Sequence, residues 1–255
     1  MAKTHRVNEY LIGCPHLITV TVVGCGGTGS QVLTALARIH MALVKTGRQG
    51  LYVEAYDNDK VSEANIGRQA FFPGDLGYGK ATVLISRINR SFGLQWKAFD
   101  KNFDLRADGS ANIIITCVDN VYTRKKMEED IDYAKRQWSG TDPMKFLYWM
   151  DLGNSKNTGQ VILGTVILPL FDKKVESKRK LLRATEMYDY STMKDTDSGP
   201  SCSTIEALEK QDLFINTFMA NYAGTILWQL LYNHTIEYRG VFVNLSNLTT
   251  NPIPV

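Results

Sequence analysis

Hydrophobic and polar positions along this chain follow two rhythms. Residues 17–23 (LITVTVV) form a continuous β-branched run closed by glycines, which predicts a strand buried on both faces. From Ser30 the period changes: Val32, Leu36, Ile39 and Leu43 mark one face of a helix. Residues 51–56 (LYVEAY) predict a second strand ending at Asp57, and a glycine-punctuated loop leads to a helix over about 80–92. Short strands are expected at 95–99 and 112–118 (NIIITCV), followed by a helix carrying Met127, Ile131, Ala134 and Trp138 on one face. Two further strands are expected at 146–150 and 160–168. This alternation predicts an α/β fold, a doubly wound, mainly parallel Rossmann-like sheet with helices on both faces.

Beyond Pro169 the pattern breaks. Residues 172–200 combine Lys173, Lys174, Lys178, Arg179, Lys180 and Arg183 with DTDSGPS and hold no sustained period. They predict a mobile surface loop; irregular stretches longer than roughly 15 residues inside a domain are usually functional or disordered. The basic run either docks an acidic partner or keeps the loop solvated. A long helix (Leu208, Ile215, Met219, Tyr222, Ile226, Leu230) and a strand near 238–245 follow, forming a C-terminal antiparallel extension. The whole chain, 1–255, is expected to be one domain: a core at 17–168, a crossover loop at about 169–204, and a helix and strand in 205–255.

Composition narrows the function classes. With 29 Lys+Arg against 26 Asp+Glu, the net charge of +3 is too balanced for a surface that tracks nucleic-acid phosphates. Cys14, Cys25, Cys117 and Cys202 contain no C-x-x-C pair, so neither a thiolate zinc site nor a disulfide framework is expected. No apolar run approaches about 18 residues and no hydrophobic leader opens the chain. No membrane span is expected, and the expected location is cytoplasmic. The Asn-x-Ser/Thr matches at Asn233, Asn244 and Asn247 then carry no weight, because glycosylation needs secretion. None of His5, His16, His40 and His234 stands beside a motif, so a histidine acid–base mechanism is not supported.

The candidate chemistry begins with GCGGTG, where Gly24, Gly26 and Gly29 fit G-x-G-x-x-G at a strand-to-helix turn. Glycines let backbone N–H groups approach phosphate oxygens, and the helix N-terminus adds a favourable dipole. The motif alone also fits a tight turn with no ligand. Asp57, at the end of the next strand, suits a ribose-hydroxyl acceptor in NAD and in ATP alike. Downstream stand Asn65, Arg68 and Lys80, and the two cations among them are more than a dinucleotide pyrophosphate requires. A triphosphate attacked at its α-phosphorus develops charge that fixed cations stabilise. Asp119 ends an apolar strand at the edge where ligands sit in such sheets, and a lone carboxylate there suits Mg²⁺.

Four ordered motifs carry a resemblance: the glycine loop at 24–30, D-x-D-x-V-x-x-x-N-x-x-R-Q at 57–69, D-x-G-x-x-K-A at 75–81, and C-x-D-N-x-x-x-R at 117–124. Together they resemble the ThiF/MoeB/HesA adenylating enzymes, relatives of the ubiquitin-activating enzymes. The later stretches DLGNSKNTGQVILG and SCSTIEALEKQDLFIN look most like ThiF-related proteins of bacterial ParB-related, ThiF-related cassettes (PRTRC systems). The resemblance implies ATP and Mg²⁺, a ubiquitin-like (β-grasp) partner whose C-terminal carboxylate is joined to AMP, and a homodimer. It implies a nucleotide site of Gly24, Gly26, Gly27, Gly29, Asp57, Asp59, Asn65, Arg68, Gln69, Lys80, Asp119 and Asn120. Asp57 would hold the ribose, Asn65 and Arg68 the phosphates, Lys80 the reacting phosphorus and Asp119 the metal. Cys202 would take the acyl group as a thioester, completing a catalytic set with Arg68, Lys80 and Asp119; an incidental cysteine is the alternative. Many relatives carry paired C-x-x-C zinc ligands, and this chain has none, so zinc is not implied. Relatives also use an N-terminal arginine reaching the partner subunit's site, and Arg6 is the sole arginine before the first strand. That departure keeps a second reading open, a nucleotide-binding scaffold without turnover. A third, an NAD-dependent oxidoreductase, needs an unplaced hydride-accepting substrate site and leaves the cations unexplained.

Overall fold

Continuous apolar runs become strands in the computed structural model, which describes residues 3–109, 111–137, 146–166, 180–188 and 211–255. The chain opens with strand β1 (His5–Arg6) and helix α1 (Glu9–Gly13), then β2 (Ile18–Val23), α2 (Gly27–Lys45) and β3 (Leu51–Tyr56). Two 3₁₀ turns, Glu63–Asn65 and Pro73–Asp75, lead to α3 (Lys80–Phe92), β4 (Lys97–Phe99), α4 (Leu105–Asp108) and β5 (Ile113–Thr116). Next come α5 (Val121–Gln137), β6 (Tyr148–Asn154), β7 (Thr158–Thr165) and a short α6 (Ala184–Met187). Helix α7 (Ile215–Trp228) runs into a π-helical turn, Gln229–Asn233, before β8 (Thr235–Ile236), β9 (Tyr238–Asn244) and β10 (Thr249–Pro254).

Eight strands form one sheet in the order β10-β9-β7-β6-β5-β2-β3-β4, while β1 and β8 form a small separate ribbon. The strands from β4 to β6 are parallel; β7, β9 and β10 are antiparallel to their neighbours. The mixed, mainly parallel sheet with its antiparallel extension is the fold the pattern predicts. β2 lies centrally, with Val20 opposite both Val53 of β3 and Ile113 of β5. The chain leaves β2 toward β3 and β4, then returns to β5 on the other side. The strand order therefore reverses between β2 and β5, and a crevice opens beyond their carboxyl ends.

The predicted helix face, Val32, Leu36, Ile39 and Leu43, is buried as α2 packs beside the sheet and against α7. All four residues of β5 are buried, which explains its unbroken apolar run. The structure corrects several bounds. Helix α2 begins at Gly27 rather than Ser30, and β5 stops at Thr116 because the chain turns into the crevice. β6 continues to Asn154, and β10 adds a strand beyond the predicted last one. Trp138 and Leu208 lie outside the described residues. Most of the predicted loop at 169–204 does too, but its described part, 180–188, is anchored. Arg183, read as one member of a basic surface run, is buried, and its Nε donates to Glu128 Oε2 on α5 at 3.0 Å.

Candidate functional site

The turn after β2 is shaped by contacts that only glycine permits. Gly24 adopts φ +90°, a left-handed conformation costly for any side chain, and a Cβ there would lie 2.8 Å from the Cys117 carbonyl oxygen. Cys117 N–H donates to Val23 O at 2.8 Å, so the ends of β2 and β5 nest closely. Gly26 caps α2 without any side chain, and the first N–H groups of the helix border the crevice. A Cβ on Gly27 would lie 2.5 Å from Asn216 Nδ2, so a glycine here lets α7 seat against the turn.

The crevice is a cleft of about 560 Å³. Gly24, Gly26, Gly27, Asp57, Asp59, Arg68, Gln69, Lys80, Asp119 and Asn120 all line it, drawn from the turn after β2 and the start of α2, the loop between β3 and α3, the first residue of α3 and the loop after β5. Two predicted residues stand outside the lining. Gly29 packs behind the turn against the Gly24 backbone. Asn65 Oδ1 accepts from the Ser62 N–H and hydroxyl at 3.0 and 3.2 Å, capping the 3₁₀ turn that precedes Arg68. Cys202 lies outside the described residues.

Asp57 Oδ2 accepts from Cys25 N–H at 2.6 Å and Oδ1 from Asp59 N–H at 2.8 Å. Burial pushes its carboxyl above the ordinary carboxylate range, although these hydrogen bonds and Lys80 pull the other way. Lys80 opens α3, and its Nζ donates to Asp59 Oδ2 at 2.8 Å; the lysine side chain is 9% exposed and the aspartate 60%. Arg68 Nη1 donates to Gln211 Oε1 at 2.6 Å, and burial lowers the guanidinium pKa. Arg68 Nε and Gln69 Oε1 are both buried without a hydrogen-bond partner. One is a donor and the other an acceptor, so the cleft keeps two unmet polar demands.

Further residues complete the site, most of them outside the quoted motifs. Asn216 Oδ1 accepts from Thr28 Oγ1 at 2.8 Å and from Asn154 Nδ2 at 3.2 Å, and its Nδ2 donates to Gln211 Oε1 at 3.0 Å. On the far wall stand Asn102, Phe103, Asp104, Tyr122 and Lys126. Behind the loop bearing Asp119, Arg124 is paired with Asp151, which also accepts from Thr116 Oγ1 at 2.7 Å. Asp151 did leave a signal, since a carboxylate inside the apolar run YWMDLGN must have a buried partner. Gln211, in the bend before α7, and Asn216, in its first turn, are neutral amides whose individual roles register only once topology brings them to the cleft. Among the described residues, no group of three or more His, Cys, Asp or Glu could hold a metal ion, and no helix is long and apolar enough to cross a membrane.

Solved structures share this fold. E. coli MccB with succinimide is 15% identical, covering 93% of this chain and 63% of that one, with a TM-score of 0.58. E. coli MccB with ATP is 12% identical over 93% and 63%, with a TM-score of 0.54. PaaA is 14% identical over 93% and 64%, with a TM-score of 0.57. The chain thus spans less than two thirds of the length of these structures. No curated protein matches it. The ThiF family model matches residues 16–253, from before β2 into β10, and the chain belongs to the ThiF family.

Proposed function

We propose that this chain is an ATP-dependent activating enzyme that joins the C-terminal carboxylate of a ubiquitin-like partner to AMP. The observation that carries the reading is the buried, unpartnered Nε–H of Arg68 in a cleft that also holds Lys80 and the α2 N-terminus. An orphaned cationic donor beside a helix N-terminus suits a phosphate oxygen. In the reaction, a carboxylate oxygen of the partner bonds to the α-phosphorus, and the bond to pyrophosphate breaks. Arg68 and Lys80 stabilise the charge that develops on the phosphate oxygens. Asp57 retains acceptor capacity for ribose hydroxyls beyond its two backbone hydrogen bonds. Asn65 acts from behind, fixing the turn that leads to Arg68.

Mg²⁺ fits the donor set. Asp119 offers one exposed carboxylate on the cleft, and the ion is commonly held by one or two carboxylates together with phosphate oxygens and water. Bound there, it would neutralise phosphate charge, with Asn120 beside Asp119 capping α5 by accepting from Thr123 N–H at 2.8 Å. Structures of MccB with ATP and with MccA support a fold that takes a nucleotide and a second ligand. Cys202 is the candidate acceptor of the acyl group. The homodimer, the cytoplasmic location and the kinship to PRTRC-system proteins rest on the sequence resemblance. A second reading, an ATP-binding scaffold without turnover, is favoured by Arg6, whose backbone pairs with Thr235 in the β1–β8 ribbon of its own chain.

ATP–pyrophosphate exchange with Mg²⁺ and ubiquitin-like proteins encoded beside this chain tests the proposal. Exchange that needs the partner's free C-terminus and disappears in Asp119→Ala is the expected result. ATP binding without exchange would favour the scaffold, and preference for NAD would overturn both readings.

A further inference from the structure

One side chain ties the start of the C-terminal helical region to the cleft. Gln211 Oε1 accepts from Arg68 Nη1 at 2.6 Å and from Asn216 Nδ2 at 3.0 Å. Asn216, 2% exposed, is held in turn by Thr28 at the glycine turn and Asn154 at the end of β6. The orientation of the Gln211 amide is therefore set by three separate parts of the fold. A guanidinium presents its donors in one rigid plane, so fixing Nη1 also fixes the direction of the Nε–H. That Nε–H is the buried donor without a partner.

We propose that Gln211 is a positioning residue for Arg68, holding Nη1 so that the Nε–H stays available to an anionic oxygen of the bound nucleotide. The inference rests on the reading of the cleft as an ATP site. The chemistry of the amide is specific. A glutamine accepts a hydrogen bond without carrying charge, so it orients the cation and leaves its field for phosphate. A carboxylate at the same point would orient Arg68 equally well, but would neutralise it and repel the nucleotide.

Calorimetric titration of wild type, Gln211→Ala and Gln211→Glu with Mg-ATP and with adenosine, alongside thermal melts, tests this. Gln211→Ala should weaken ATP by about ten- to a hundredfold, the scale of one hydrogen bond to a charged group, while adenosine affinity holds. Gln211→Glu should lose more ATP affinity with its melting temperature unchanged or raised. Unchanged ATP affinity in both variants overturns the proposal while leaving the ATP site standing. Equal losses for ATP and adenosine also overturn it, because Gln211 would then only support the fold. If wild type binds neither ligand, the ATP reading fails and takes the proposal with it. Should Gln211→Ala not fold, the charge contrast between Gln211→Glu and wild type carries the test.

Discussion

Arg124 Nε lies 3.0 and 3.1 Å from the two carboxylate oxygens of Asp151, with the residues 5% and 1% exposed. Its Nη1 donates to Asn120 O at 3.2 Å, and its Nη2 to Val118 O at 2.8 Å and Leu152 O at 2.9 Å. One cation thus grips the backbone on both sides of Asp119. Either Arg124→Ala or Asp151→Ala strands a buried charge and should cost about 3–5 kcal/mol by urea denaturation. The pair Arg124→Met with Asp151→Leu should recover most of that stability. Magnesium-dependent nucleotide affinity should stay low in the pair, because the loop bearing Asp119 has lost its clamp. Full recovery of both would reduce Arg124 to core filler.

Asp57 predicts a pH slope. Burial holds its carboxyl above the ordinary range, so the folded protein binds this proton more tightly than the unfolded chain does. Stability from this group is full below the unfolded value, near 4, and is lost as pH climbs through the raised folded value. Unfolding free energy of wild type minus that of Asp57→Asn should therefore decline as pH rises from about 4 toward neutrality. A difference that stays flat, or grows, contradicts the shift.

Lys80 should separate activity from stability. Its partner Asp59 is largely exposed, and such pairs contribute about 0–1 kcal/mol. Lys80→Met keeps the buried stem, so the melting temperature should barely move. Exchange activity should fall by about a hundredfold or more, the scale of one preorganised transition-state contact. A large melting shift with little change in exchange would place Lys80 in the scaffold instead.

Gly27→Ala sets two opposing effects against each other. Alanine is favoured over glycine in helices by about 1 kcal/mol. The new methyl would meet Asn216 Nδ2 at 2.5 Å, however, and overpacking of a tight core costs about 1–3 kcal/mol. The clash should win, and the variant should unfold at lower urea. A stabilised variant would mean that α7 yields freely.

The thiols of Cys25 and Cys117 are raised by burial, far above the range where thiolate forms at neutral pH. Iodoacetamide at pH 8 should leave both unmodified in the native protein and label them after denaturation. Mass spectrometry of peptides reads the result directly. Native labelling of Cys117, which is half-buried and lines the cleft, would contradict its raised thiol.

Much of the sheet was legible because its central parallel strands, β2 and β5, are buried almost throughout, so their sequences read as near-continuous apolar, β-branched runs. Helix α2 was legible from Val32, Leu36, Ile39 and Leu43, but not its start, because glycine's poor helix propensity hid Gly27 and the contact with Asn216 decides that end. Ten of the twelve predicted nucleotide-site residues line one cleft; most follow a strand end or open a helix at the same edge of the sheet, and the loop after β3 carries Arg68 and Gln69 to it. Gln211, Asn216 and Asp151 escaped because their roles depend on partners far away in sequence; Thr28 and Asn216 are 188 residues apart. β10 escaped for another reason. Its sequence, TTNPIP, contains two prolines, which argue against a strand anywhere except at a sheet margin.

Those prolines have a further consequence. Pro252 and Pro254 pair with β9 yet have no N–H to offer a strand laid alongside β10. At the opposite margin, β4 is only three residues long and carries exposed Lys97. Both borders of the sheet are thus poor templates for extension, which protects the chain from edge-to-edge aggregation. A β-strand arriving from outside gains little by continuing this sheet at either margin.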